Sequence, residues 1–422
     1  MRRLVPTWGL LMIVLAVLPT AAAAQLPAAE QALVSALNNG MGKIGGRSGA
    51  YVVDLNTGQP LYSYAPGVER LPASVEKIYT TSTALLRFGS PATLTTAVLG
   101  TGALDARGTW HGNLYLKGGG DPTFGSTSFD AAAYGTGATV QRLVINLTQQ
   151  MGIRAVSGRI IGDESYFDSL RGTPATGFGP DLPDVEGELS ALAFDRGFAN
   201  FQGTVAQARP ALYATQRFVA ALKAAGVKVP RNTPVYTGIT PAGAQPLATV
   251  QSPSIAKLIE LTNTPSDNYL AEMLLKGLGA RFGGAGTTAA GAAVVRAELL
   301  TRFGIAPLLN DGSGLSRADY TSPQQVVTVL SQMYTNADFY NSLAVAGETG
   351  TLQDYGQRTA AQGNCHGKTG TLRDVADLAG YCHARDGHEL VFAFLANGLS
   401  APDSVHTIEA NNMAAALARY NG

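Results

Sequence analysis

The sequence predicts an α/β (α+β) chain: a largely antiparallel sheet with helices on both faces and a separate α+β lobe inserted into it. Three stretches carry that reading. Residues 51–54 (Tyr-Val-Val-Asp) and 61–64 (Leu-Tyr-Ser-Tyr) alternate about a turn at Asn56, Thr57 and Gly58, the pattern of a hairpin. Residues 390–395 (Leu-Val-Phe-Ala-Phe-Leu) are apolar at every position, so that strand is expected to be covered on both sides. Between 95 and 247, short strand-like runs (114–116, 156–161 and 235–237) alternate with glycine turns and with two segments of helical period, 139–151 and 212–225. The expected organisation is a leader at 1–24, one core domain in two parts (25–94 and 248–422), and inserted lobe material at 95–247.

The leader reads as a secretory signal peptide. Arg2 and Arg3 precede nine consecutive apolar residues at 10–18, then Pro19 and a small-residue cleavage site ending at Ala24. That apolar run is too short for a bilayer core, which takes about 20 residues. The alanine-rich stretch 404–420 lacks the lysine-rich face of an interfacial anchor and is expected to pack on the core. The expectation is an exported protein, periplasmic or secreted, with no stable membrane anchor. Thirty basic and thirty acidic residues, 14% charged in all, offer no field for nucleic acid. A chain of 422 residues exceeds what one core usually supports, so two or three lobes are expected.

Cys365 and Cys382 are the only cysteines. They flank a second hairpin turning near 372–376, and the symmetric pairing that sets Gly370 opposite Asp377 also sets Cys365 opposite Cys382. A disulfide, or two buried thiols, fits that placement. The five histidines (His111, His366, His383, His388 and His406) lack zinc-peptidase spacing, so neither a metal nor a cofactor is expected.

Three polar clusters carry the chemistry. Ser74 and Lys77 lie three apart after a short helix (28–38) and the first hairpin, at the start of a helix that stops before Gly89. On one helical face the Lys77 amine meets the Ser74 hydroxyl, and a neutral lysine can take the serine proton. An isolated Ser-x-x-Lys is equally a helix cap beside a solvated lysine. Ser266, Asp267 and Asn268 follow Thr264 and Pro265, between helices at 255–261 and 269–276, the latter ended by Gly277. Here Ser266 can relay a proton between Lys77 and a leaving amine, and Asn268 can pair with a substrate amide; a plain helix cap is the alternative. Lys368, Thr369, Gly370 and Thr371 lie on the second hairpin's first strand. They offer charge and hydroxyls to a carboxylate, or else form a solvated edge. Alternation puts Lys368 and Thr369 on opposite faces of that strand. Two look-alikes are set aside: Ser254 with Lys257, read as a cap, and Glu348-Thr349-Gly350-Thr351, which has an acid in place of the cation.

Ser-x-x-Lys, Ser-Asp-Asn and Lys-Thr-Gly in that order resemble the set of serine β-lactamases and penicillin-binding proteins. The long interval between Ser74 and Ser266, the Leu116-Lys117-Gly118-Gly119-Gly120-Asp121-Pro122 run, Ala271-Glu272-Met273-Leu274-Leu275 and Asp311-Gly312-Ser313-Gly314-Leu315-Ser316-Arg317 narrow the likeness. They resemble the class C low-molecular-mass penicillin-binding proteins, D-alanyl-D-alanine carboxypeptidases and endopeptidases of peptidoglycan. The resemblance implies a transpeptidase/β-lactamase-like catalytic domain split by an insert of two small lobes. It also implies Ser74, Lys77 and Ser266 as catalytic residues, and Asn268, Lys368, Thr369 and Thr371 as substrate-binding residues. Peptidoglycan peptides and β-lactams are the implied partners. A β-lactamase and a non-hydrolytic penicillin-binding sensor or scaffold are the alternative readings. Against the first, the glutamate and asparagine four apart that class A enzymes use are missing between Asn268 and Lys368.

Overall fold

The computed structural model describes residues 1, 26–230 and 234–422; apart from residue 1, the signal-peptide expectation lies outside the described residues. Helix α1 (Ala28–Ile44) leads to the hairpin of β1 (Arg47–Asp54) and β2 (Pro60–Tyr64). The helix runs one and a half turns past the expected 38 because Leu37, Met41 and Ile44 continue its apolar face against the C-terminal helices. A 3₁₀ turn (Ala73–Glu76) opens directly into α2 (Lys77–Phe88), which Gly89 ends.

The next stretch forms its own sheet: β3 (Thr95–Leu104), β4 (Thr109–Lys117), α3 (Thr127–Ala133), α4 (Val140–Met151), β5 (Ala155–Val156), β6 (Ile160–Asp163), α5 (Pro210–Ala224), β7 (Val235–Thr237) and β8 (Gln245–Gln251). Its order is β7-β6-β4-β3-β8, with β5 beside β4. The β3–β4 and β3–β8 pairs are antiparallel and the β4–β6 and β6–β7 pairs parallel. The expected single run at 156–161 is two short strands. Leu143, Leu147, Phe218 and Leu222, from the helices, pack on Val98, Leu114, Leu116 and Ile160 as a core separate from the rest.

The chain then returns through α6 (Ile255–Asn263), α7 (Asn268–Phe282), α8 (Thr288–Glu298), α9 (Pro323–Met333) and α10 (Ala337–Ser342). Helix α7 continues beyond Gly277, against the sequence expectation. Its glycines serve packing: a Cβ at Gly279 would lie 2.7 Å from Ala285 O and from the Gly291 amide nitrogen. Strands β9 (Ala344–Val345), β10 (Cys365–Leu372), β11 (Val375–His383) and β12 (Glu389–Asn397) complete the main sheet, in the antiparallel order β2-β1-β12-β11-β10-β9. The chain closes with α11 (Pro402–Thr407), a π-helical turn (Ile408–Ala414) and α12 (Ala415–Ala418), packed on the sheet.

Alternation along β12 explains the unbroken apolar run. Leu390, Phe392, Phe394 and Ala396 join the core under α1 and the C-terminal helices, while Val391, Ala393 and Leu395 join the core under α2, α6, α7 and α9. In the second hairpin Gly370 pairs with Asp377 and Cys365 with Cys382, and the two cysteines are joined as a disulfide. Among the described residues no helix is long and apolar enough to cross a membrane.

Candidate active site

Ser74 sits in the 3₁₀ turn, half-buried, with buried neighbours on either side. Two glycines let the chain crowd this turn. A Cβ at Gly314 would stand 1.8 Å from Ala73 O, and one at Gly370 would stand 2.6 Å from Pro72 O and 3.1 Å from the Val75 nitrogen. The 311–316 loop and strand β10 therefore press on the serine from two directions.

Lys77, at the first position of α2, is fully buried. Its Nζ lies 2.8 Å from Ser74 Oγ, 2.6 Å from Asn268 Oδ1 and 2.7 Å from Ser313 O. Burial lowers its pKa to about 8, while the charges of Asp311, Glu272, Asp267 and Glu76 pull the other way. A neutral amine has two N–H donors and one lone pair. Two of the three contacts, Asn268 Oδ1 and Ser313 O, can only accept. Once Lys77 is neutral they take both protons, and the lone pair is left facing the Ser74 hydroxyl.

Asn268 begins α7, and its Nδ2 donates to Asp184 O at 2.6 Å. Both ends of this amide are thus held by protein, where pairing with a substrate was expected. Asp267 caps α7 by accepting from the Leu270 amide at 2.8 Å, and Arg196 grips it with both terminal nitrogens. Ser266 has a left-handed backbone (φ 68°), which turns it out of the helical path. Its Oγ accepts from Lys368 Nζ at 2.7 Å. The lysine bonded to Ser266 is therefore Lys368, whereas the sequence reading paired it with Lys77.

Lys368 is fully buried and also donates to Thr369 O at 2.8 Å. Burial, with a smaller contribution from Lys77, pushes its pKa well below the usual lysine value. Thr369 Oγ1 donates to Thr351 Oγ1 at 2.7 Å, and Thr371 Oγ1 shares a 2.7 Å hydrogen bond with His406 Nε2. Alternation holds along β10: Lys368 meets Ser266, while Thr369 and Thr371 bond Thr351 and His406. A cleft of about 1150 Å³ opens here, lined by Asn268 and Thr371 with Asp184, Glu186, Arg317 and Arg373 among others.

Sequence reasoning gave no role to the buried acids beneath the lysine. Glu272 Oε1 accepts from the Gly312 and Ser313 amides at 2.9 and 2.8 Å, and Asp311 accepts from the Gly314 and Ser316 amides at 2.8 Å each. These bonds shape the loop whose Ser313 carbonyl holds Lys77. Oxygens of Glu76, Asp311 and Asp319 lie within 4.8 Å of one another, and burial raises all three carboxyls, Asp319 to about 8. The motif runs through Glu272 and Asp311 were the available signal; their convergence was not. Thr351, from the look-alike that had been set aside, lies beside Thr369. Ser254 is the expected cap, accepting from the Lys257 amide.

A buried serine–lysine pair, with a second serine–lysine pair beside it at the edge of an antiparallel sheet, is the machinery of a serine acyl-transfer enzyme. The chain matches the model of the D-Ala-D-Ala carboxypeptidase 3 (S13) family over residues 30–181 and 185–420, and it belongs to that family. It is 31% identical to the D-alanyl-D-alanine carboxypeptidase of Actinomadura sp. (strain R39), over 90% of this chain and 82% of that protein. Its fold is similar to that of penicillin binding protein 4 (dacB) from Haemophilus influenzae, with a TM-score of 0.72 at 21% identity, covering 91% and 99% of the two chains. A β-lactam complex of the same protein aligns with a TM-score of 0.68 at 20% identity, covering 92% and 99%.

Proposed function

We propose that this chain is a serine D-Ala-D-Ala carboxypeptidase, with D,D-endopeptidase activity on the same bond type, acting on peptidoglycan stem peptides through an acyl-enzyme. The observation that carries this reading is the hydrogen-bond set of Lys77, whose two obligate acceptors leave the neutral amine's lone pair to Ser74. Ser74 Oγ attacks the carbonyl carbon of the penultimate D-alanine as its proton passes to Lys77 Nζ. The backbone amides of Ser74 and Thr371 hold the oxyanion, where the loss of one donor typically costs about 3–4 kcal/mol. Ser266, which accepts a hydrogen bond from Lys368, relays to the departing amine the proton that Lys77 took from Ser74, so that the Ser266 hydroxyl is restored and Lys77 ends neutral. D-Alanine leaves, and water then releases the acyl group from Ser74.

Asn268, Lys368, Thr369 and Thr371 bind the substrate in this reading. Asn268 exchanges its bond to Asp184 O for the peptide, and the terminal carboxylate meets Lys368 and the two threonines. The carboxylate's charge restores the positive form of Lys368. β-Lactams acylate Ser74 and persist because their leaving group stays tethered. Residues 25–94 and 248–422 form the catalytic domain, 95–247 the insert, and 1–24 direct export to the peptidoglycan.

The test is to incubate the protein with a diacyl-Lys-D-Ala-D-Ala peptide and, separately, with a chromogenic cephalosporin. D-Alanine release, with labelled penicillin attached at Ser74, is the expected result; Ser74→Ala abolishes both. Rapid cephalosporin turnover instead identifies a β-lactamase, and a stable adduct without peptide cleavage identifies a sensor. Either overturns the reading.

A further inference from the structure

Behind Thr371, at the outer end of β10, lies a buried pair, His406 and Glu409, that has no role in the steps above. Thr371 is exposed at the cleft, and its Oγ1 lies 2.7 Å from His406 Nε2. His406 Nδ1 in turn faces Glu409 Oε2 at 3.3 Å. The His406 side chain is 6% exposed and that of Glu409 is fully buried, so water reaches the pair from neither side. The other Glu409 oxygen has no hydrogen-bond partner.

Burial, with a contribution from Lys368, lowers the His406 pKa to about 4 against the opposing charge of Asp403; burial also raises the Glu409 carboxyl well above its usual range. Burial thus favours the neutral form of both partners, the acid as well as the imidazole. The Glu409 O–H donates to Nδ1, which fixes the proton of the ring on Nε2. Nε2–H then donates to Thr371 Oγ1, and the threonine's own proton is left for an acceptor in the cleft.

We propose that His406, oriented by Glu409, is a positioning residue that makes Thr371 a hydrogen-bond donor towards the substrate and so favours peptides ending in a free carboxylate. This rests on the assignment of Thr371 to the carboxylate site in the reading above. A residue at this place acts on recognition more than on bond breaking. Its loss appears in KM, and in the preference for a carboxylate over an uncharged end that brings its own donors.

The experiment compares diacyl-Lys-D-Ala-D-Ala with its C-terminal amide in the wild type, His406→Leu, His406→Gln, Thr371→Val and the His406→Leu/Thr371→Val pair. His406→Leu is expected to raise KM for the carboxylate peptide about tenfold with kcat little changed, and to shrink the preference over the amide by a similar factor. His406→Gln, whose amide can donate from the same place, recovers most of that preference. The double variant is no worse than Thr371→Val alone, because both act through one contact. Equal losses on both peptides, no recovery with glutamine, or additive losses overturn the proposal while leaving the carboxypeptidase reading intact. If His406→Leu fails to fold, the glutamine variant and Thr371→Val decide: a carboxylate preference unchanged in Thr371→Val overturns the proposal. A wild type that acylates with penicillin yet releases no D-alanine overturns both.

Discussion

Acylation of Ser74 should follow the ionisation of Lys77, and the structure sets both the midpoint and the sign. Moving a lysine from 10.5 to about 8 means that the site disfavours the charged amine by about 3 kcal/mol. Only the neutral amine can accept the Ser74 proton. With a pKa of about 8, roughly one tenth of the enzyme is competent at pH 7, half at pH 8 and nine tenths at pH 9. The second-order rate constant for acylation by a fluorescent penicillin, followed by stopped flow, is expected to rise about fivefold from pH 7 to pH 8. It should rise less than twofold more by pH 9. Glu272→Gln keeps an oxygen for the Gly312 and Ser313 amides; burial raises the Glu272 carboxyl to about 8, so the charge it removes is present only in the upper part of this range, and the midpoint moves slightly to lower pH. Lys77→Met is expected to lose acylation by about a thousandfold or more. A rate flat between pH 6 and 9, or a Lys77→Met variant that keeps the wild-type rate and profile, refutes the reasoning.

Two further outcomes bear on stability. Burial raises the Glu76 carboxyl well above its usual 4.5, so the native state holds that proton longer than the unfolded chain does and stability falls as pH rises beyond about 4.5. Glu76→Gln should match the wild type near pH 4 and exceed it by about 1–2 kcal/mol at pH 8 in urea unfolding; a variant equally stable or weaker at pH 8 contradicts this. Cys365 and Cys382 close a short loop, 17 residues apart, and removing both should cost up to about 3 kcal/mol. The urea midpoint of the double alanine variant checks it, and no change in midpoint would mean that β10–β11 pairing holds the hairpin without the disulfide.

The main sheet and the three polar clusters were legible because each depends on local pattern. The hairpins follow from alternation and turn residues, the buried strand β12 from its unbroken apolar run, and the disulfide partners from the symmetry of one register. Misreadings arose where a residue serves a distant neighbour. Gly277 looks like a helix end, yet the helix continues through it, and the next glycine, Gly279, lets α8 approach. Glu76, Glu272, Asp311 and Asp319 converge from three segments that no spacing relates. Likewise, the pairing of Ser266 with Lys368, of Thr351 with Thr369 and of His406 with Thr371 depends on how loops meet across the sheet edge. Periodicity gave the face of each residue but not its partner.

Lys276 lies on α7 two turns beyond Asn268, with no exposed side-chain surface. Its ammonium is held at 2.6 Å by Asp168 and at 2.9 Å by the Leu170 carbonyl, both supplied by the stretch between β6 and α5. Excising 95–247 to obtain a minimal enzyme would therefore remove both partners of a cation on the helix that presents Asn268, and losing its partner while it stays buried costs about 3–5 kcal/mol. On the proposed division of the chain, the inserted stretch is thus a structural creditor of the helix that carries Asn268, and shortened forms of this chain are expected to need a different residue at position 276.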